Sequence, residues 1–219
     1  MRVESFRLFV FDLDGTLVDS RRDIADAANA LLVSCGAKPF PEERIGAMVG
    51  EGAATLVARA FKASGVERPH DALERYLAFY ETRLLNHTRP YDGIPEVLDA
   101  LGRRAALAVL TNKPLAATRR ILDGLDLARY FPAAAVFGGD GPFPRKPDPA
   151  GLRQLVGSTN VDAASTLMVG DSLIDWRTAR AAATGVCLAR YGFGFDSVPA
   201  AELGPWDHVI DAPEQLLEL

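Results

Sequence analysis

The chain has 219 residues, of which 48% are hydrophobic and 24% are charged, and its formal net charge is −5. This length allows one large core, or a core with a smaller domain, and the mild acidity gives no electrostatic reason to expect a nucleic-acid partner. No apolar run reaches the roughly 18 residues that a membrane span needs. The two cysteines, Cys35 and Cys187, fit no disulfide or metal pattern, which suits a reducing compartment. From the missing membrane span and the cysteines together we expect a cytoplasmic protein without a membrane partner.

The first predicted strand ends in two aspartates. Residues 7–11, RLFVF, form a short apolar run that is typical of a strand buried on both faces of a parallel sheet. Asp12 and Asp14 follow this run directly, and Gly15 comes next. Two carboxylates at the end of a buried strand indicate a ligand site, provided that other polar groups meet them there.

Residues 18–88 predict helices and no convincing strand. Apolar residues recur at helical spacing over 24–35, again over 56–61, and again over 73–84. This stretch therefore predicts an all-helical insertion that interrupts whatever fold the first strand belongs to.

After residue 88 strands alternate with helices. The predicted strands are LAVLTN at 107–112, AAVFGGD at 134–140, TLMVGD at 166–171 and VCLAR at 186–190. Strands that alternate with helices of this length indicate right-handed βαβ units and a parallel sheet. We therefore predict an α/β protein with a Rossmann-like parallel-sheet core, residues 1–17 and 89–219, that is interrupted by an all-helical insertion, residues 18–88.

Polar residues follow several of the predicted strands. Ligands of open parallel sheets bind at the carboxyl ends of the strands, so these residues should lie close together in space. They are Asp12, Asp14, Thr111, Asn112 and Asp171, with Lys146 in a loop after another strand.

This set of side chains suits a metal ion and a phosphoryl group. The carboxylates of Asp12, Asp14, Asp171 and Asp175 would repel one another without a cation, and a few hard oxygen ligands suit Mg²⁺. A hydroxyl, an amide and the Lys146 ammonium supply the positioning and charge neutralisation that phosphoryl transfer requires. A carboxylate can also act as a nucleophile and form an aspartyl-phosphate.

Four segments resemble, in the expected order, the four motifs of the haloacid dehalogenase-like phosphatase superfamily. They are FDLDGTLVDS, LTNKP, RKPDP and VGDSLID, and the match covers nearly the whole chain. The resemblance implies that Asp12 is the nucleophile and a Mg²⁺ ligand. It implies that Asp14 is the general acid and base, with its backbone carbonyl on the metal.

The remaining motif residues receive roles by the same resemblance. Thr111 and the neighbouring Asn112 would bind the transferring phosphoryl group, and Lys146 would offset the charge of the nucleophile and the phosphate. Asp171 would hold Mg²⁺, and Asp175 would bind the ion through water or orient the groups around it. Taken alone, Thr111 and Asp175 are also explained as N-caps of the helices that follow them.

The resemblance is strongest to phosphoglycolate phosphatases. It rests on MVGEGAATLV, VFGGDGPFPRKPDP and RYGFGF in addition to the four motifs, and it implies 2-phosphoglycolate as the substrate. By this resemblance the helical insertion, residues 18–88, is the family's inserted cap domain, and Gly50 and Gly52 belong to a cap turn that faces the site, where backbone amides could contact a small anion. A break between two helices is the simpler explanation of both glycines.

Other functions stay open at this point. A β-phosphoglucomutase-like phosphomutase, a pyrophosphatase and a sugar-phosphate phosphatase share the motifs, and a non-catalytic binding protein is a further alternative. The presence of Asp14 argues against a haloacid substrate, because the dehalogenases lack an acid/base aspartate at that position. A small phosphorylated metabolite is the expected partner, and the chain is expected to be a monomer or a homodimer.

Overall fold

A six-stranded parallel sheet forms the centre of the fold. A computed structural model of the chain describes residues 6–219. The strands of the described residues are β1 (Leu8–Phe11), β2 (Val18–Asp19), β3 (Arg89–Pro90), β4 (Ala106–Leu110), β5 (Val136–Phe137), β6 (Thr166–Gly170), β7 (Gly185–Ala189) and β8 (His208–Ile210). Six of them form the central sheet, in the order β5-β4-β1-β6-β7-β8, and every neighbouring pair in it is parallel. The other two, β2 and β3, form a separate two-stranded sheet. The predicted α/β fold is therefore confirmed.

Helices cover both faces of this sheet and also form the inserted segment. They are α1 (Arg21–Ser34), α2 (Glu42–Gly46), α3 (Ala53–Ser64), α4 (Ala72–Glu81), α5 (Ile94–Leu101), α6 (Leu115–Gly124), α7 (Ala150–Thr159) and α8 (Leu173–Ala182). Side chains alternate along β1, so Phe9 and Phe11 enter one apolar cluster while Leu8 and Val10 enter the other. Within residues 6–219 no helix combines the length and the apolar character needed to cross a bilayer.

Three short strands, β2, β3 and β8, differ from the sequence-based expectation. β8 was not predicted, because its three residues lie at the sheet edge and only Ile210 is buried. β2 falls inside the stretch for which no strand was expected, so that expectation was wrong at Val18 and Asp19. Two residues are too few to show any periodicity, and β2 is held by antiparallel pairing with β3.

The inserted helices α1 to α4 lie between β2 and β3. Val18 pairs with Pro90 and Asp19 with Arg89, so the chain leaves and re-enters the core through one two-stranded ladder. Apolar side chains of these helices, such as Leu31 of α1, belong to the same buried cluster as those of β1 and α5. The division into a core and a cap over residues 18–88 remains a prediction.

A buried aspartate ties the first inserted helix to the returning segment. Asp23 of α1 accepts hydrogen bonds from the backbone N–H of His87 at 2.9 Å, and from the N–H and hydroxyl of Thr88 at 2.8 and 2.7 Å. The carboxylate and Thr88 are both fully buried, so the two donors of Thr88 have no water as an alternative partner.

Replacing this aspartate should destabilise the protein. Asp23→Ala leaves several buried donors unpaired, and we expect it to lower the free energy of unfolding by about 3 kcal/mol in urea titrations. Asp26→Ala, an exposed position on the same helix, is the matched control and should change stability by less than about 0.5 kcal/mol. Equal effects from both substitutions would contradict this account.

Candidate active site

The carboxyl ends of three adjacent strands bring the predicted residues together. Phe11 of β1 is in register with Val109 of β4 and with Val169 of β6. The residues that follow, Asp12, Thr111 and Asp171, therefore leave the sheet at the same edge, and all three are buried. The convergence expected from the sequence is thus present in the fold.

A glycine allows one of these carboxylates to approach the loop after β1. Gly15 has φ +84°, and a Cβ atom there would lie 2.0 Å from Oδ2 of Asp171. The same oxygen accepts a hydrogen bond of 2.8 Å from the backbone N–H of Gly194. Asp171 is consequently fixed between the loop after β1 and the loop after β7.

Lys146 lies between two of the aspartates. Its Nζ is 2.9 Å from Oδ1 of Asp12 and 2.6 Å from Oδ1 of Asp175, and all three side chains are buried. The other oxygen of Asp175 accepts hydrogen bonds from the backbone N–H and the hydroxyl of Ser172, at 3.1 and 2.7 Å. Asp175 therefore anchors Lys146 to the start of α8 and has both oxygens engaged.

The charges in this cluster are out of balance. Burial raises the pKa of Asp12 to about 6, with Lys146 acting in the opposite direction and Asp175 adding to the rise. Burial, followed by the charges of Asp175 and Asp12, raises the pKa of Asp171 well above its usual range. Burial alone would lower the pKa of Lys146, but the two carboxylates beside it raise the pKa instead. One ammonium faces three carboxylates, which leaves an excess of negative charge.

The donor set fits a divalent metal ion. Asp12, Asp171 and Asp175 each present a carboxylate oxygen, and these oxygens lie within 4.8 Å of one another. Oδ1 of Asp12 accepts no aligned hydrogen bond from the described residues, despite its proximity to Lys146. A group of carboxylate oxygens without thiolate or imidazole ligands is the kind of site that Mg²⁺ prefers.

Asp14 stands apart from this acidic cluster and has partners of its own. Nζ of Lys113 lies 2.8 and 2.7 Å from its two oxygens, and the hydroxyl of Ser20 donates to Oδ1 at 2.5 Å. Nζ of Lys113 also lies 4.6 Å from the ring centroid of Tyr80. Burial raises the pKa of Tyr80 well above its usual range, with Asp14 and Asp23 adding to the rise, so its hydroxyl keeps its proton.

Sequence reasoning assigned no role to Lys113 or Tyr80. A role for Lys113 could have been predicted, because it directly follows Thr111 and Asn112 in the LTNKP motif. Tyr80 lies on a predicted helix, where its helical spacing fits a core position equally well. Only the tertiary packing of α4 places Tyr80 at the cavity.

Asn112 connects the inserted segment with the core. Its Nδ2 donates to the carbonyl of Gly50 and to the carbonyl of Lys146, both at 2.9 Å. Both of its side-chain protons are therefore used by the protein itself. Neighbouring Thr111 accepts a hydrogen bond of 3.3 Å on its hydroxyl from the backbone N–H of Lys113.

A cavity of about 220 Å³ lies over these residues. Asp12, Asp14 and Asp171 form its polar end, and Gly50 and Gly52 line its side, so the structure brings the predicted cap turn to the site. The remaining lining is mainly apolar and comes largely from α3, α4 and α6. Its members include Leu56, Tyr76, Leu77, Tyr80, Ala116 and Ala117.

Comparisons with known proteins agree with this arrangement. Residues 9–189 match the family model described as haloacid dehalogenase-like hydrolase. A phosphoglycolate phosphatase of Rhodospirillum rubrum is 45% identical over 204 residues, which cover 89% of this chain and 83% of that protein. The phosphoglycolate phosphatase of Agrobacterium fabrum is 39% identical over 209 residues, which cover 93% and 88%.

A solved structure has the same fold over the whole chain. The crystal structure of a predicted phosphoglycolate phosphatase from Haemophilus somnus 129pt is 31% identical, with a TM-score of 0.88 and 97% of each chain covered. The motifs, the sheet order and these similarities agree, and the chain belongs to the haloacid dehalogenase-like hydrolase family.

Proposed function

We propose that this protein is a Mg²⁺-dependent phosphatase that hydrolyses a small phosphomonoester, 2-phosphoglycolate, through an aspartyl-phosphate intermediate. The observation that carries the proposal is the placement of Asp12 beside Lys146 and Asp171 at the polar end of a small cavity, with Asp14 next to it. The similarity to proteins named phosphoglycolate phosphatase supports the choice of substrate.

In the first step a carboxylate oxygen of Asp12 attacks the phosphorus atom. The bond between phosphorus and the ester oxygen breaks, and Asp14 gives its proton to that oxygen. The ester oxygen thereby becomes the neutral hydroxyl group of the departing glycolate. Lys146 balances the negative charge that Asp12 and the phosphoryl oxygens bring together. Thr111, buried at the end of β4, holds the transferring group through its hydroxyl.

In the second step water replaces the aspartate. Asp14, now a carboxylate, takes a proton from the water molecule as its oxygen attacks phosphorus, and the bond to Asp12 breaks. Inorganic phosphate leaves and the Asp12 carboxylate is restored. The net reaction consumes one water molecule and forms one alcohol and one phosphate.

Mg²⁺, when bound, offsets the charge of the phosphoryl oxygens and of the acidic cluster. Asp12 and Asp171 would hold the ion with the backbone carbonyl of Asp14. Asp175 acts mainly by holding Lys146, since both of its oxygens already have partners.

The setting that we propose is the cytoplasm. Both cysteines are free thiols, and Cys187 is buried in the core of the sheet, which suits a reducing compartment. The protein acts as a monomer or a homodimer, and a single chain carries a complete set of the proposed catalytic groups.

The nucleophile can be tested directly. The purified protein should release phosphate from 2-phosphoglycolate in the presence of Mg²⁺, with lower activity on pyrophosphate, sugar phosphates and nucleotides. Asp12→Asn should reduce the release to background, because the variant lacks both the nucleophile and a metal ligand. Wild-type activity in Asp12→Asn would refute the mechanism.

Asp14→Asn should lower kcat by about 10²–10⁴-fold and prolong the life of the phosphoenzyme, since the base is missing. Transfer of the phosphoryl group to a second hydroxyl, instead of to water, would favour the mutase.

The role of the central ammonium can be tested in the same assay. Lys146→Ala should lower kcat by about 10²–10³-fold, because a preorganised charge at the reacting group is lost. Lys62→Ala, at an exposed position on α3, is the control and should retain wild-type kcat. A variant at position 146 with an unchanged kcat would remove this lysine from the scheme.

Metal binding should depend on pH in a defined direction. Burial raises the pKa of Asp12 to about 6 and also raises the pKa of Asp171 in the metal-free fold, so protons compete with Mg²⁺ increasingly as the pH falls. Saturating MgCl₂, at about 100 times Kd, should stabilise the protein by about 3 kcal/mol at about pH 8 and by much less at about pH 5. Thermal melts with and without Mg²⁺ measure this difference.

The metal-free protein should show the opposite trend. The folded pKa values of Asp12 and Asp171 lie above the ordinary value of 3.8, so these groups favour the fold at low pH, and that contribution is lost as the pH rises through the folded pKa. Asp171→Asn should abolish the Mg²⁺ effect and stabilise the metal-free fold at about pH 8. A Mg²⁺ effect that is the same at both pH values would contradict the predicted competition between protons and Mg²⁺.

A further inference from the structure

The cavity contains a cation and a hydroxyl for which the proposed reaction steps have no use. Among the described residues that line the cavity, Lys113 is the only lysine or arginine. Tyr80 lines the same cavity, is 4% exposed, and has a hydroxyl without a hydrogen-bond partner in the part of the chain that the structure describes. Buried hydroxyl groups normally have a partner, so this one is available to a polar group of a ligand.

The cation and the hydroxyl-bearing ring are neighbours. Nζ of Lys113 lies 4.6 Å from the ring centroid of Tyr80, and the lysine side chain is buried. An ammonium has three N–H donors, and the two oxygens of Asp14 account for two of them. One donor is therefore left for a ligand without any change in the pair with Asp14.

The apolar lining restricts which ligands can carry a second charged group in addition to the phosphoryl group. Leu56, Leu77 and Ala117 offer no hydrogen bonds, so a carboxylate bound among them needs a cation and donors close by. Glu81 also lines the cavity, but it forms an ion pair with Arg120, which offsets its charge. Among the described residues of the lining, Lys113 is the one cation, and its pair with Asp14 leaves one N–H donor for such a group.

The start of α3 adds favourable electrostatics. Gly52 and Ala53, at the first turn of this helix, line the cavity, and no side chain caps that turn. The free backbone N–H groups and the helix dipole there favour an anion. This contribution supports a negative ligand group in addition to the lysine and the tyrosine.

We infer that Lys113 and Tyr80 form a subsite that binds the carboxylate of the substrate, and so select small phosphomonoesters that carry a carboxylate. The inference rests on the proposed function, because it assigns the pair to the leaving group of a substrate whose phosphoryl group is bound at Asp12. Lys113 and Tyr80 are specificity-determining residues for the leaving group, and Lys113 also holds Asp14.

The competing explanation is that Lys113 only positions Asp14. In that case its loss would slow every substrate by the same factor, whatever the leaving group carries. A carboxylate subsite instead predicts a loss that is larger for the substrate with a carboxylate. The ratio of kcat/KM values for two matched substrates therefore separates the two explanations.

The experiment compares 2-phosphoglycolate with 2-hydroxyethyl phosphate, which has a neutral hydroxymethyl group in place of the carboxylate. The kcat/KM ratio should favour 2-phosphoglycolate in the wild type and fall by about 10–100-fold in Lys113→Met, because a charge-assisted contact is lost. In Tyr80→Phe, which keeps the ring, it should fall by about 3–10-fold and mainly through KM. The controls are Lys62→Met and Tyr130→Phe, whose side chains lie outside the cavity, and they should leave the ratio unchanged.

Thermal melts with glycolate give a measurement that does not depend on turnover. Glycolate should stabilise the wild type more than Tyr80→Phe and much more than Lys113→Met. This result would uphold the subsite even if the protein released no phosphate from any ester, which would refute the proposed function alone.

Other outcomes overturn the inference. Equal losses on both esters in both variants would refute the subsite while leaving the phosphatase chemistry intact. A wild type that hydrolyses the neutral ester as well as 2-phosphoglycolate would refute the subsite and the proposed substrate together. If Lys113→Met fails to fold, Tyr80→Phe decides the question by the same ratio.

Discussion

The confinement of several carboxylates around one buried ammonium is the constraint on which the rest of the site depends. Lys146 contacts Asp12 and Asp175 at the carboxyl edge of the sheet, and Asp171 adds a third negative charge. Such a cluster is costly to bury unless a cation or protons complete its charge. The parallel sheet makes the cluster possible, because strands in register deliver their terminal residues to one place.

The same edge separates two tasks in space. Asp12 belongs to the acidic cluster and to Lys146, whereas Asp14 faces the inserted helices through Lys113 and Ser20. Two aspartates only two positions apart in sequence therefore have different electrostatic surroundings. This difference suits a nucleophile beside a metal ion and a proton carrier beside the leaving group, which are the roles that we propose for them.

Most of the core and the polar end of the site could be predicted from the sequence. Apolar runs that stop at Asp12, Thr111 and Asp171 identify both the buried strands and the point where they converge. Other features escaped prediction for physical reasons. β8 is a short edge strand with one buried residue, and Tyr80 reaches the site only through the tertiary packing of α4. Helical spacing gives the side of a helix that is buried, but it does not reveal which neighbour covers it.

The two hydrogen bonds donated by Asn112 have a mechanical consequence. One goes to Gly50 in the inserted segment and the other to the loop that carries Lys146. The same side chain therefore fixes two loops at once. Because a single planar amide makes both bonds, the position of Gly50 is set relative to the backbone of Lys146, the residue whose ammonium contacts the proposed nucleophile.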